Sequence, residues 1–228
     1  MTAIKRVRSG PRESTKRRNV KSSLSLATDH RSRTKDYLDA AEIDLLLKAA
    51  KAGRYGTRDS LLLMMLYRHG LRVSEAISLR VTDVNLQQAR LWVNRLKNGL
   101  SVEQPIPGDE LRAIKRYLGK RTANLLWLFL SERGQPLTRQ SVNYIVSRSA
   151  KRAGLTNVHP HTLRHSCGFY LANQGYDLRL IQDYLGHRDP KHTAHYTRVA
   201  GVRFEGLWGW CNKRVKGSFS CFNVKVYG

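Results

Sequence analysis

Apolar residues along the chain recur mostly at helical spacing, interrupted once by a short alternating stretch. Ile43, Leu46, Leu47 and Ala50 mark one face of a helix, and Asp39, three residues before Glu42, forms a capping-box signature at its start. Gly53 ends that helix. Thr57 or Asp59 opens a second one through residues 61–66, apolar all round and therefore central, and Gly70 stops it. A short third helix starts near Ser74 or Glu75 and ends about Leu79. From Arg90 the period changes. Leu91-Trp92-Val93 is β-prone, Lys97-Asn98-Gly99 carries the Asn-Gly turn signal, and residues 100–106 read as the returning strand. Lys97 is then at or beside the hairpin tip, and Pro105 and Pro107 suit a strand at a sheet edge. Helical spacing resumes at Leu111, Ile114, Lys115 and Leu118, behind Gly108-Asp109-Glu110. Residues 125–130 predict a short buried strand or turn. Thr138 caps a helix carrying Val142, Ile145 and Val146, and Pro160 begins another. The expected fold class is mainly α with a small antiparallel β-sheet, without internal repeats.

Composition adds a partner to this picture. Lys plus Arg number 41 and Asp plus Glu 17, a formal charge of +24. Such a surplus calls for a polyanion or for a permanently solvated surface. Nucleic acid ranks first, because basic residues recur within the foldable part as well as outside it. Residues 1–35 form a basic arm in which eleven Lys and Arg stand against only Glu13 and Asp29. With so few apolar residues the arm is expected to be disordered alone. A DNA-wrapping arm and a merely solvated tail both stay open. The longest apolar runs, residues 61–67 and 125–130, fall far short of the roughly 20 residues of a spanning helix, so no membrane partner is expected. The N-terminus has no apolar segment of the signal-peptide kind. Cys167, Cys211 and Cys221 lack metal or disulfide spacing, which suits a reducing cytoplasm.

The candidate chemistry gathers in residues 159–198, which hold six of the eight histidines. A His-x-x-Arg pair stands at His161 and Arg164, a Leu-Gly-His at 185–187, and Tyr196 follows nine residues after His187. A tyrosine hydroxyl, with a pKa of about 10, is a poor nucleophile at neutral pH. It becomes useful where cationic donors hold a negatively charged reaction partner against it. His159, His161 and His165 do not complete a metal set, since no cysteine or carboxylate joins them and Arg164 between them repels a cation; neither metal nor cofactor is expected. Arg72, at the turn between two apolar helices, is either a clamp on Glu75 or a neighbouring carbonyl, or a ligand for an anion. Both roles stay open. His192 and His195 read as surface or packing residues.

Taken in order, Arg72, Lys97, His161, Arg164, His187 and Tyr196 resemble the active-site set of the tyrosine recombinases, the phage integrase family. The matching text is Gly-Leu-Arg-Val-Ser-Glu at 70–75, the hairpin Lys97, His-Thr-Leu-Arg-His at 161–165, Leu-Gly-His at 185–187, and Tyr196. Within that family, the wording around His159 and Leu185 is similar to that of the fimbrial phase-switch DNA invertases of enterobacteria. The resemblance implies a recombinase catalytic domain over residues 36–210, with 211–228 a tail of unclear role. It implies Tyr196 as nucleophile giving a 3′-phosphotyrosine, Arg72 and Arg164 on the phosphate oxygens, and Lys97 protonating the leaving 5′-oxygen. His161 would be the acid–base partner and His187 a hydrogen-bond donor to the phosphate. It also implies double-stranded DNA with inverted repeats as substrate, a homotetramer on two sites, accessory DNA-bending proteins, and work at the nucleoid. Larger members carry an N-terminal clamp domain, whereas only the basic arm precedes Tyr37 here. Phe204, Leu207, Trp208 and Trp210 resemble a segment that docks on a neighbouring subunit; folding back on their own domain is the alternative. Two further readings stand beside this one: a DNA-binding regulator that keeps the fold, and a nicking–closing topoisomerase. The presence of all six residues argues against the first, and the invertase-like wording against the second.

Overall fold

The structure, a computed structural model, describes residues 36–95, 99–121 and 125–199. Helix α1 (Ala40–Lys51) begins where the sequence signature placed it. Asp39 Oδ1 accepts from the Glu42 amide at 2.9 Å, and Glu42 Oε2 accepts from the Asp39 amide at 2.8 Å. Helix α2 (Gly56–Arg68) buries Leu61, Leu62, Leu63, Met65 and Leu66 against α1, α4 (Gly108–Lys120) and α6 (Pro160–Asn173). Each such side chain contributes about 1.5–3 kcal/mol of apolar burial, so α2 is the central post of the domain. The short α3 (Val73–Ser78) follows directly, and α5 (Arg139–Arg152) packs its Val142, Ile145 and Val146 face on α1. Thr138 caps α5, accepting from the Ser141 amide at 3.1 Å.

Three antiparallel strands in the order β1-β2-β3 stand beside the helices: β1 (Val84–Asn85), β2 (Arg90–Val93) and β3 (Val102–Pro105). Val93 pairs with Val102 and Arg90 with Pro105, so the hairpin forms. Its register is two residues away from the one a two-residue Asn98-Gly99 turn would set, which puts Val93 opposite Gln104. Strand β1 was not expected; its two residues are too few to show an alternation. Residues 125–130 form no strand. Leu125 and Leu126 are exposed while Leu128 and Phe129 are buried, and isolated bridges tie Arg80 to Trp127 and Leu130 to Pro136. The Lys97 hairpin tip, the basic arm, the aromatic segment at 204–210 and the tail 211–228 lie outside the described residues.

A second, smaller core forms where α6 meets α7 (Leu178–Leu185) and α8 (Lys191–Val199), from Cys167, Phe169, Ala172, Ile181, Leu185 and Tyr196. The seam between the two cores is Gly70, between α2 and α3, at φ +55°. A Cβ there would fall 2.4 Å from Leu185 Cδ2. Its carbonyl accepts from both Arg95 and Arg164. Among the described residues no helix is long and apolar enough to cross a membrane. Gly70→Ala should therefore combine a left-handed backbone penalty with overpacking, a loss of about 2–5 kcal/mol in urea unfolding. A loss below about 0.5 kcal/mol would contradict this view of the seam.

Candidate active site

Glu75, in the first turn of α3, is almost fully buried and gathers three arginines. Its Oε1 accepts from Arg72 Nη1 at 2.7 Å, and its Oε2 from the Arg72 amide at 2.9 Å and Arg95 Nη1 at 2.8 Å. Arg164 Nη1 stands 3.9 Å from Oε2. Three guanidiniums on one carboxylate leave two positive charges in excess. Burial alone would raise the Glu75 pKa, yet Arg95, Arg72 and Arg164 hold it below the usual carboxylate value. Burial, then Arg95 and Arg72, push the Arg164 pKa down to about 10, which still leaves it cationic at neutral pH.

The arginines differ in how they are held. Arg95 is buried, its Nη2 donating to the carbonyls of His69 at 3.0 Å and Tyr184 at 2.7 Å. Among the described residues its Nε has no hydrogen-bond partner. Arg164, from the first half of α6, donates Nη2 to the Leu185 carbonyl at 2.8 Å. Arg72 is the exposed one: 26% of its side chain faces solvent. With Arg139, Asn143 and His161 it lines a hollow of about 200 Å³. Arg72 is thus a clamp on Glu75, the first of its two readings, with one edge open to solvent.

His161, one turn ahead of His165 on α6, stands at the rim of this hollow. Burial of its inner side, followed by Arg164, His159 and Arg72, lowers its pKa. The rings of His161 and His165 lie 5.8 Å apart. His165 Nδ1 is 3.0 Å from the Tyr196 hydroxyl, and burial lowers the His165 pKa as well. Tyr196, on α8, is only 3% exposed. Its ring lies over Gly168, where a Cβ would come within 2.7 Å of it, and edge-on to Phe169. Burial raises its pKa to about 12, against the opposing pull of Arg164. His187 follows Gly186, the left-handed residue that ends α7. Its ring is nearly parallel to that of Tyr196 at 6.4 Å, and its Nδ1 is 2.9 Å from Thr193 Oγ1. Burial, with Arg164 and Arg72, lowers the His187 pKa to about 3, so it is neutral at physiological pH. His195 packs against Phe169 and His192 against His187, as surface and packing residues do.

Five of the six sequence candidates are therefore drawn together from α3, α6, α7 and α8, while Lys97 lies outside the described residues. Arg95 was missed. The signal for it was present: Arg95, two residues past β2, continues the alternation of Leu91 and Val93, and all three are buried. His165 was quoted within the matching motif but given no role beyond a rejected metal ligand, and Thr193 was not singled out. Among the described residues no group of three His, Cys, Asp or Glu side chains is placed to hold a metal.

A helical catalytic fold with a small antiparallel sheet, paired arginines and a tyrosine on a late helix defines a tyrosine recombinase. The phage integrase family model matches residues 36–202, and the chain belongs to that family. It is 44% identical over 182 residues to the type 1 fimbriae regulatory protein FimB of Escherichia coli K12, across 78% of this chain and 91% of FimB. To FimE of the same strain it is 42% identical over 181 residues, across 75% of this chain and 90% of FimE. Among solved structures, XerA recombinase superposes with a TM-score of 0.67 at 26% identity, covering 78% of this chain and 66% of XerA.

Glu75→Gln should remove the charge that holds the arginines and cost about 3–5 kcal/mol at neutral pH in denaturant unfolding. Because the folded Glu75 pKa is depressed, its contribution is complete above the ordinary carboxylate pKa of about 4.3 and declines as pH falls through the folded value. The stability gap between the two proteins should then shrink as pH falls from about 5 towards 3. A gap that is constant or widens over that range would contradict the assignment.

Proposed function

We propose that this recombinase inverts a DNA segment between short inverted repeats, through a covalent 3′-phosphotyrosine intermediate, and thereby switches fimbrial gene expression. The observation that carries the chemistry is the doubly cationic cluster around Glu75, set against the hollow where Arg72 and His161 face solvent. Such a cluster suits a phosphodiester whose nonbridging oxygens gain negative charge during attack. Guanidiniums match those oxygens in fork geometry and stay protonated at any working pH.

In this reading the Tyr196 oxygen attacks the scissile phosphorus, the bond to the 5′-oxygen breaks, and the phosphodiester energy is kept in the protein–DNA bond. The tyrosine begins protonated, so its proton must leave. The neutral His165 touches the hydroxyl and His161 stands one ring beyond, which supports departure along that pair with His161 as acid–base partner. Lys97 returns a proton to the leaving 5′-oxygen. A neutral His187 whose Nδ1 accepts from the Thr193 hydroxyl carries its own proton on Nε2, which suits it to donate to a phosphate oxygen. Arg95 does not enter this scheme directly; its contacts support a role in positioning Glu75 and the Gly70 carbonyl.

The identity to FimB and FimE over nearly their whole lengths supports fimbrial switching as the process served. The enzyme then acts as a homotetramer on two sites, aided by DNA-bending proteins, in the cytoplasm at the nucleoid. The Tyr196→Phe protein should bind nicked duplexes built from the inverted repeats at its own locus with little change in affinity, yet form no covalent complex. Covalent attachment by that variant would remove Tyr196 as nucleophile. A plasmid carrying the two repeats should show the intervening segment reversed; excision or simple relaxation in its place would overturn inversion.

A further inference from the structure

Helix α5 borders two hollows rather than one. Its Arg139 and Asn143 line the active-site hollow with Arg72 and His161. On its other flank, Gln140, Tyr144, Arg148 and Arg152 line a larger hollow of about 590 Å³, closed on the far side by Arg54 and Arg58 and at one end by Arg133. Five arginines there face only Asp59 and Glu132, a surplus of three positive charges. Asp59 is already engaged, accepting from Arg58 Nε at 2.9 Å, while Arg58 Nη1 donates to the Leu130 carbonyl at 3.1 Å. Among the described residues, Arg54, Arg148 and Arg152 make no ion pair. Arg148 and Arg152 are one turn apart on the same helix, a like-charge spacing that destabilises a helix in the absence of a counterion.

What holds these guanidiniums does not neutralise them. Arg54 and Arg58 lie over the Tyr55 ring at 5.3 Å and 4.8 Å, and Arg148 over the Tyr144 ring at 5.8 Å. Arg148 also donates to the Tyr144 hydroxyl at 3.1 Å. A side chain at Gly53 would meet Arg152, its Cβ only 2.8 Å from Nη1, so the bare backbone there admits the guanidinium. Beyond Gly53 and Arg54 the basic lining continues into an adjoining hollow of about 250 Å³ with Lys51 and Arg116.

We propose that this arginine-lined hollow is a second anion site, which grips the phosphodiester backbone of DNA flanking the cleavage point. The inference rests on the DNA-cutting role given above to the neighbouring hollow. The row from Tyr144 to Arg152 is about 12 Å long, more than one phosphate needs, whereas successive phosphates of a DNA strand lie about 3.4 Å apart along the helix axis. The row runs on the same helix that borders the catalytic hollow, so a duplex lying across α5 meets both.

The test is the salt dependence of binding by the full chain to a random-sequence duplex, in which each lost phosphate contact lowers the slope of log K against log salt by about 0.9. Arg148→Gln/Arg152→Gln should lower that slope by about 2, and adding Arg54→Gln should lower it by about one more. A charge-matched control, Lys115→Gln/Lys120→Gln on α4, should change it by less than half as much. The variant should melt no lower than the parent, which shows that the fold is intact. Equal slopes for the two double variants would reduce the hollow to general net charge and overturn the proposal. An unchanged DNA slope together with a phosphate-induced rise in melting temperature that the variant loses would assign the hollow to a free phosphate ligand and equally overturn it. Tyr196-dependent covalent attachment is scored separately on the same proteins, so loss of this site and loss of the recombinase reading are told apart.

Discussion

One buried carboxylate organises this enzyme. Glu75 receives Arg72 from its own turn, Arg95 from the strand end and the approach of Arg164 from α6, so three separate segments meet at a single side chain. Taking Glu75, Arg95 and Arg164 out of water is expensive, and carbonyls of His69, Gly70, Tyr184 and Leu185 offset part of that cost by accepting from the Nη groups of the two buried arginines. Those carbonyls belong to the turns that end α2 and α7. The folding of both cores is thus tied to the assembly of one cationic centre. Two positive charges remain in excess at this centre.

The tyrosine is arranged on the opposite principle, by burial rather than by charge. Tyr196 is packed into the small core against Phe169 and over Gly168, with its hydroxyl turned to His165. Burial raises its pKa to about 12 and so keeps it protonated at neutral pH. The histidines around it, His161, His165 and His187, are all held towards their neutral forms by burial and by the same arginines. Neutral imidazoles can accept a proton, which imidazolium ions cannot. Burial is the larger cause of these neutral forms, and the arginines add to it.

Much of this was legible in the chain. The period of the apolar residues, the Asp39–Glu42 capping box, the Thr138 cap and Pro160 located helices α1 to α6, since these signals are local and nothing in the tertiary structure opposes them, whereas α7 and α8 were not placed. Strand β1 was not, because a two-residue strand exists only through its partner. The motif residues Arg72, His161, Arg164, His187 and Tyr196 were found by order and spacing. Arg95 was not, although strand alternation pointed it inward, since a buried arginine becomes credible only once its carboxylate and carbonyl partners are known. His165 was hidden for a related reason. Its partner is 31 residues away, on a helix whose placement over α6 depends on Gly168.

The central claim is that a phosphate held by the Glu75 arginine cluster is attacked by Tyr196. Mass spectrometry of the peptide trapped on nicked substrate by the unaltered enzyme tests this most directly. The account predicts a single adduct, with the DNA 3′-phosphate esterified to Tyr196. An adduct on any other residue, or one joined through a 5′-phosphate, would contradict it.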